Sequence, residues 1–184
     1  MNLDNITLIS FGYFEKELLE MIIEDVEREF MLPVRIREGH LDLSEFYDPA
    51  RRQYDGNRLI KEIDSSYALD SNKTLGLFNV DLFIPILTYI FGQAFLGGRS
   101  GIASIFRLSN ESYGLKSDKK VFVDRIQKEV IHELGHTFGL IHCRNTTCVM
   151  RSSTYVEDID QKNSTLCHQC RIDLRSLQLA HEKY

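Results

Sequence analysis

The segment HELGHTFGLIH, residues 132–142, constrains the fold of this chain more than any other feature. His132 and His136 are four residues apart, so on a helix both imidazoles project from one face toward a single point. His142 lies six residues beyond His136, and a continuing helix would turn it about 240° away from that face. The three rings can therefore meet only if the helix ends and the chain turns back. Gly139 is placed to allow this turn, because glycine accepts the left-handed conformation that ends many helices.

Three imidazoles that meet at one point are suitable ligands for Zn²⁺ and leave a fourth coordination position open. Glu133 follows His132 directly but lies about 100° round the helix, so its carboxylate can approach a water molecule on the metal without binding the metal itself. The pattern predicts metal-assisted hydrolysis, with Glu133 as the general base that takes a proton from the attacking water. The alternative is a helix with two polar histidines on its exposed side.

The four cysteines of the chain all lie between Cys143 and Cys170. Cys143 and Cys148 form one pair, and Cys167 and Cys170 form a CxxC pair, a spacing typical of structural zinc sites with four thiolate ligands. At this point two disulfides, a redox-active CxxC or unrelated thiols remain alternatives.

The histidine motif resembles the extended zinc signature of metzincin metalloproteases, in which a methionine-containing turn follows the third histidine. Met150, eight residues after His142, is the candidate for this Met-turn, and filling of the core is its alternative reading. The histidine motif, the cysteine that adjoins it, the CxM sequence and the distal CxxC together are similar to one family, archaemetzincin. These motifs cover residues 132–170.

The resemblance implies a zinc metallopeptidase with two zinc ions per chain. The catalytic ion would be held by His132, His136 and His142, and the structural ion by Cys143, Cys148, Cys167 and Cys170. The implied fold is α/β (α+β) and metzincin-like, with a mixed twisted sheet, an active-site helix and a small zinc-stapled C-terminal subdomain. Some metzincins have a zinc-binding tyrosine two residues after the methionine, but here that position is Ser152, so no such tyrosine switch is expected.

Hydrophobic periodicity predicts the elements that surround these motifs. The predicted strands are 6–11, 34–36, 75–80, 87–91 and 101–108, and the predicted helices are 14–30, 58–63, 118–138 and 172–181. In chain order, strand 6–11, helix 14–30 and strand 34–36 form a βαβ unit. Ser117 or Asp118 is expected to cap the helix that carries the histidines. We divide the chain into an N-terminal subdomain, residues 1–142, and a C-terminal subdomain, residues 143–184, within one compact catalytic domain.

Metzincin-like architecture places an edge strand above the active-site helix, and an extended peptide substrate adds to that strand. Residues 101–106, within the alternating sequence GIASIFRL, are the candidate for this strand. We therefore expect Gly101, Ile102, Ala103 and Ser104 to bind substrate, with an ordinary buried strand as the alternative. The residues between Met150 and Cys167 would form a wall of the pocket.

The net charge of −5 gives the chain no general attraction to nucleic acid. Its first ten residues lack the features of a signal peptide, and no stretch is long and apolar enough to cross a membrane. We therefore predict a cytoplasmic monomer that acts on peptides or proteins, without nucleic-acid or membrane partners. One alternative is a non-catalytic zinc-containing peptide-binding module, which would have no need of Glu133. Another is a zinc-ribbon-like interaction or nucleic-acid domain, which leaves the three histidines unexplained.

Overall fold

The computed structural model describes residues 5–181, so the outer ends of the predicted segments 1–142 and 143–184 lie outside the described residues. The α-helices are α1 (Lys16–Phe30), α2 (Gly56–Ser66), α3 (Lys119–Thr137), α4 (Val156–Asp160) and α5 (His168–His181). The strands are β1 (Asn5–Phe11), β2 (Val34–Gly39), β3 (Tyr47–Asp48), β4 (Gln53–Asp55), β5 (Asn72–Phe78), β6 (Leu82–Ile84), β7 (Leu87–Ile90), β8 (Gly92–Ala94) and β9 (Ser100–Ser104). Within residues 5–181, no helix is long and apolar enough to cross a membrane.

The main sheet has the strand order β2-β1-β5-β9-β8. Its first four strands are parallel and β8 is antiparallel to β9. The connection β1–α1–β2 is the predicted βαβ unit. A second, smaller sheet has the order β3-β4-β6-β7. The predicted mixed α/β architecture is thus confirmed, and the segment 42–56, in which no element was predicted, contains a 3₁₀ turn and two short strands.

Alternate residues of a strand point to opposite faces of the sheet, and apolar residues on both faces of the main sheet are covered by helices. On β1, Ile6 and Leu8 pack into the cluster that contains α1 and α3. The intervening Ile9 and Phe11 belong to a second cluster, built around α2. The central strands are therefore buried on both faces, which is usual for parallel sheets.

Helix α3 begins and ends as the sequence predicts. Of the two candidate capping residues, Asp118 acts as the cap, and its carboxylate accepts a hydrogen bond from the backbone N–H of Val121 at 3.1 Å. At the other end, Gly139 adopts φ +100°, a conformation that favours glycine. The helix therefore ends directly before the turn that the histidine spacing requires.

The prediction that Gly101–Ser104 form an edge strand is wrong. These residues belong to β9, which is buried and paired with β5 on one side and β8 on the other. The strand also ends at Ser104, four residues before the end of the predicted one. The Ser104 hydroxyl donates to the carbonyl of Val80 at 2.6 Å and accepts from the N–H of Phe106 at 3.2 Å, and the chain then turns into a 3₁₀ helix. The strand at this edge of the sheet is β8.

The C-terminal segment packs onto the same core as the rest of the chain. One hydrophobic cluster extends from Ile6 on β1 to Leu174 on α5. The buried carboxylate of Glu29 on α1 accepts from the N–H of Leu166 at 3.1 Å and from the Arg171 guanidinium at 3.0 Å. The division at residue 142 stays a prediction within this continuous core.

A buried lysine lies near the turn between β8 and β9. Lys73 on β5 is only 4% exposed, and its Nζ donates to the carbonyl of Gly98 at 2.8 Å. The ammonium also lies 5.4 Å from the centre of the Phe138 ring. Burial disfavours the charged form and lowers the pKa of Lys73 from 10.5 to about 8.

This shift predicts a pH dependence of stability. Between about pH 8 and 10.5 the unfolded chain binds the Lys73 proton and the folded protein does not, so the free energy of unfolding rises with pH. The rise attributable to Lys73 is about 2–3 kcal/mol. We expect Lys73→Met to remove it and Lys61→Met, at an exposed site on α2, to retain it, as measured by chemical denaturation across this pH range. The same slope in Lys73→Met as in the wild type would contradict the prediction.

Candidate active site and metal centres

The end of α3 brings three histidine side chains together. His132 and His136 lie one turn apart on the helix, and the turn at Gly139 returns the chain so that His142 faces them. The ring centres are 4.6 Å apart for His132 and His136, 4.8 Å for His136 and His142, and 5.3 Å for His132 and His142. One nitrogen from each ring lies within 4.8 Å of the others, a separation that suits a single metal ion.

Backbone carbonyls orient two of these rings. Nδ1 of His132 lies 2.8 Å from the carbonyl of Val149, and Nδ1 of His136 lies 2.7 Å from that of Leu140. A carbonyl only accepts hydrogen bonds, so each Nδ1 carries the proton and each Nε2 presents a lone pair. The two Nε2 atoms are 3.1 Å apart, a distance at which two lone pairs repel unless a cation lies between them.

The three imidazoles are held in the neutral form that binds metals. Burial lowers the pKa of His132 well below its usual range, and burial likewise lowers the pKa values of His136 and His142. The nearby ammonium of Lys162 acts in the same direction on all three. The donor set therefore fits Zn²⁺.

Glu133 is buried beside the histidines, and its Oε2 atom has no hydrogen-bond partner among the described residues. Burial raises the pKa of its carboxyl group well above the usual range, and the neighbouring carboxylate of Glu129 adds to the effect. A buried oxygen without a partner is costly, so this atom is suited to a proton donor that enters the cleft. Gly92 of β8 permits the approach, because a Cβ there would lie 2.6 Å from Glu133 Cγ.

Two buried charged residues near the histidines, Glu129 and Lys162, were not among the predicted site residues. Glu129 lies one helical turn before Glu133 and is buried, and its position on the buried face of α3 was a signal that could have identified it. Lys162 is also buried, and its Nζ donates to the carbonyl of Arg151 at 2.8 Å. Its positive charge opposes the rise in the pKa of both carboxyl groups. No local pattern marked Lys162.

Met150 lies directly under the histidine helix. Its side chain is fully buried, and its carbonyl accepts from the N–H of Cys143 at 2.9 Å. The thioether packs so closely on Gly135 that a Cβ there would overlap the Met150 sulfur and lie 2.9 Å from Met150 Cε. Met150 therefore packs against the part of α3 that carries the histidines, and its role as a Met-turn residue stays a prediction.

The four cysteine thiols converge next to this turn. The Sγ atoms of Cys143 and Cys167 are 3.8 Å apart, as are those of Cys148 and Cys170, and all four lie within 4.8 Å of one another. All four cysteines are free, and these separations far exceed a disulfide bond of about 2.05 Å. The arrangement fits one tetrahedral metal ion rather than two disulfides.

A cleft of about 610 Å³ opens over the histidines. Its lining includes strand β8, the segment 87–91, Ile141 and the segment 152–155. Tyr155, which was not among the predicted site residues, also lines the cleft. The four residues predicted to bind substrate, Gly101–Ser104, do not line the cleft. They lie on β9, and β8 is the strand at that edge of the sheet.

Comparison with known proteins identifies the family. A family model described as Peptidase family M54 matches residues 6–176. The chain belongs to peptidase family M54. The M54 match and the similarity to archaemetzincins confirm the expected resemblance and the expected enzyme class, a zinc metallopeptidase.

Curated relatives of this M54 chain are named archaemetzincins. The chain is 43% identical over 129 residues to one from Halobacterium salinarum, which covers 68% of this chain and 73% of the relative. It is 35% identical over 182 residues to an archaemetzincin from Thermococcus kodakarensis, and the match covers 95% of this chain and 97% of the relative.

Solved structures confirm the fold of this M54 chain. A zinc-dependent peptidase from Methanocorpusculum labreanum superposes with a TM-score of 0.83 at 30% identity, over 92% of this chain and all of that one. Archaemetzincin from Methanopyrus kandleri gives a TM-score of 0.80 at 28% identity, over 94% and 95% of the two chains.

The contact between Gly135 and Met150 predicts the effect of a single methyl group. Gly135→Ala would force Met150 away from α3 and lower the free energy of unfolding by about 1–3 kcal/mol. In a Met150→Ala background the same change has room and costs little, so denaturation of the two single variants and the double variant tests the contact. If the losses of the two single variants add in the double variant, the methyl group at position 135 and the Met150 side chain do not interact.

Proposed function

We propose that this chain hydrolyses peptide bonds with a catalytic zinc ion held by His132, His136 and His142. The observation that carries the proposal is the pair of Nε2 lone pairs facing each other at 3.1 Å, with both Nδ1 atoms bonded to carbonyls. Membership of a peptidase family supports the reaction, and the name of the M. labreanum relative, a zinc-dependent peptidase, supports the metal. When bound, zinc would supply a Lewis acid that activates water and stabilises negative charge on the carbonyl oxygen.

Glu133 is the general base in this proposal. Its free Oε2 accepts a proton from the attacking water and then delivers that proton to the leaving amine. The buried surroundings and the Glu129 carboxylate make Glu133 a stronger base than an exposed carboxylate, which favours removal of the proton from water. Gly92 leaves the space that this side chain needs.

The substrate lies along β8 in place of the strand first expected. Strand β8 is the last strand of the main sheet, and Gly92, Gln93 and Ala94 line the cleft. An extended peptide can add to such an edge through backbone hydrogen bonds, which hold it in place irrespective of its sequence. The close approach of Gly92 to Glu133 would place a peptide on β8 next to the general base.

A second zinc ion at Cys143, Cys148, Cys167 and Cys170 would be structural, because four thiolates leave no open coordination position. Cys143 directly follows His142, and Cys148 lies two residues before Met150. The ion would therefore fix both ends of the loop that places these two residues. Free thiols in this cluster fit a reducing compartment, so we assign the enzyme to the cytoplasm, where it acts as a monomer on peptides or proteins.

Metal analysis tests the two sites separately. We expect purified wild-type protein to hold two zinc ions per chain and His136→Ala to hold one, because only the catalytic site loses a ligand. Cys167→Ser should lose the structural ion and much of its resistance to denaturation. Zinc per chain, measured together with the unfolding midpoint, distinguishes these cases. One ion or none in the wild type would overturn the two-site arrangement.

The role of Glu133 needs a variant that keeps the metal. Glu133→Gln retains the shape of the side chain but cannot take a proton, so kcat should fall by about 10²–10⁴-fold while both zinc ions remain. A library of unstructured peptides supplies the substrates, and a hydroxamate that binds zinc serves as the inhibition control. Equal cleavage by wild type and Glu133→Gln would remove Glu133 from its role. Binding of peptides without cleavage by the zinc-loaded wild type would favour a non-catalytic binding module.

A further inference from the structure

The cleft differs in charge from the rest of the chain. Asp, Glu, Lys and Arg make up 27% of the sequence. Among the described residues that line the cleft there is no Lys, Arg or Asp, and the only carboxylates are Glu129 and Glu133. Both are buried beneath the histidines, with 4% and 5% exposed, so neither is available on the walls to pair with a charged substrate side chain.

Large apolar side chains lie exposed around the opening instead. Leu87 is 48% exposed, Leu96 60%, Ile141 70% and Tyr155 62%, and all four line the cleft. Leu87 begins β7, Leu96 follows β8, and Ile141 and Tyr155 come from two further segments, so apolar groups reach the cleft from several parts of the chain. Exposed apolar patches of this kind mark surfaces that contact an apolar ligand.

The segment 152–155, which lines the cleft, is held in place before substrate arrives. The hydroxyl of Tyr89 on β7 donates to the carbonyl of Thr154 at 3.0 Å. The guanidinium of Arg107 lies 4.1 Å from the centre of the Tyr89 ring and is paired with Asp81. These contacts join two of the segments that line the cleft, 87–91 and 152–155, and the second segment includes Tyr155. A preorganised wall of this kind favours ligands that match it.

We propose that the enzyme selects extended polypeptide segments with apolar, uncharged side chains on both sides of the scissile bond. The inference rests on the proposed function and goes beyond it by naming the substrate class. A charged side chain next to Leu96, Ile141 or Tyr155 loses water and gains no counter-charge. Because apolar segments are buried in folded proteins, the substrates are unfolded chains and apolar peptides.

A matched set of peptides tests this selectivity. Each peptide carries Leu, Ser, Asp or Lys at both positions that flank the cleaved bond and is otherwise identical. For the zinc-loaded enzyme we expect kcat/KM for the Leu peptide to exceed that for the Asp and Lys peptides by about tenfold or more, with Ser between them. Equal rates, or a preference for Asp or Lys, would overturn the inference and leave the peptidase activity standing.

Binding separates failure of the inference from failure of the proposed function. The same fluorescently labelled peptides are titrated onto zinc-loaded Glu133→Gln, which binds without turnover in the proposed mechanism. The order Leu, Ser, then Asp and Lys in affinity supports the inference even if no peptide is cleaved by the wild type, a result that would count against the proposed function alone. Equal or reversed affinities contradict the inference directly.

Charge introduced on the walls should redirect the preference. Leu96→Lys and Tyr155→Lys each place a cation at the cleft, so kcat/KM for the Asp peptide should rise relative to that for the Lys peptide by about tenfold. Leu69→Lys is the control, because Leu69 is similarly exposed at 59% but does not line the cleft. Zinc content and the unfolding midpoint show that each variant is folded. An unchanged Asp-to-Lys ratio in both cleft variants would show that these walls do not contact the substrate side chains.

Discussion

The left-handed turn at Gly139 is the constraint on which the rest of the site depends. It lies two residues after the end of α3 at Thr137 and returns the chain, so that His142 joins His132 and His136. The same turn supplies the carbonyl of Leu140, which fixes the proton on His136 Nδ1. A residue with a Cβ would be strained at this φ value. One backbone conformation thus determines both the position of the third ring and the orientation of the second.

The two cysteine pairs and the histidines form one connected structure rather than two modules. Val149 lies between Cys148 and Met150, and its carbonyl orients His132, while the N–H of Cys143 bonds to the carbonyl of Met150. Lys162 links the Arg151 carbonyl to the charge of Glu129 and Glu133. Loss of order in the cysteine cluster would therefore change the position of the histidine rings, because one short segment makes contacts with both.

Different groups in the cleft bind the peptide backbone, carry out the reaction and contact the substrate side chains. Backbone groups of β8 are available to hold any extended peptide, the histidines and Glu133 supply the reactive groups, and exposed apolar side chains line the rest of the cleft. Hydrogen bonds from the backbone favour no particular sequence, whereas the walls exclude charge. The buried carboxylate of Glu133 requires a dry surrounding to keep its basicity, and apolar walls help to provide one.

The sequence by itself determined the features that depend on local geometry. Helical spacing placed His132, His136 and Glu133 correctly on α3, the glycine signalled the turn, and the periodicity located α1, α2 and α3 to within a few residues. Only the tertiary structure decided which strand forms the edge, since β8 has three residues and little pattern, while the buried β9 alternates as an edge strand would. It also brought the charge of Lys162 near Glu129 and joined Tyr89 to Thr154, which are 65 residues apart. Such contacts depend on the order of strands and on packing across the whole core, which a local pattern of residues does not encode.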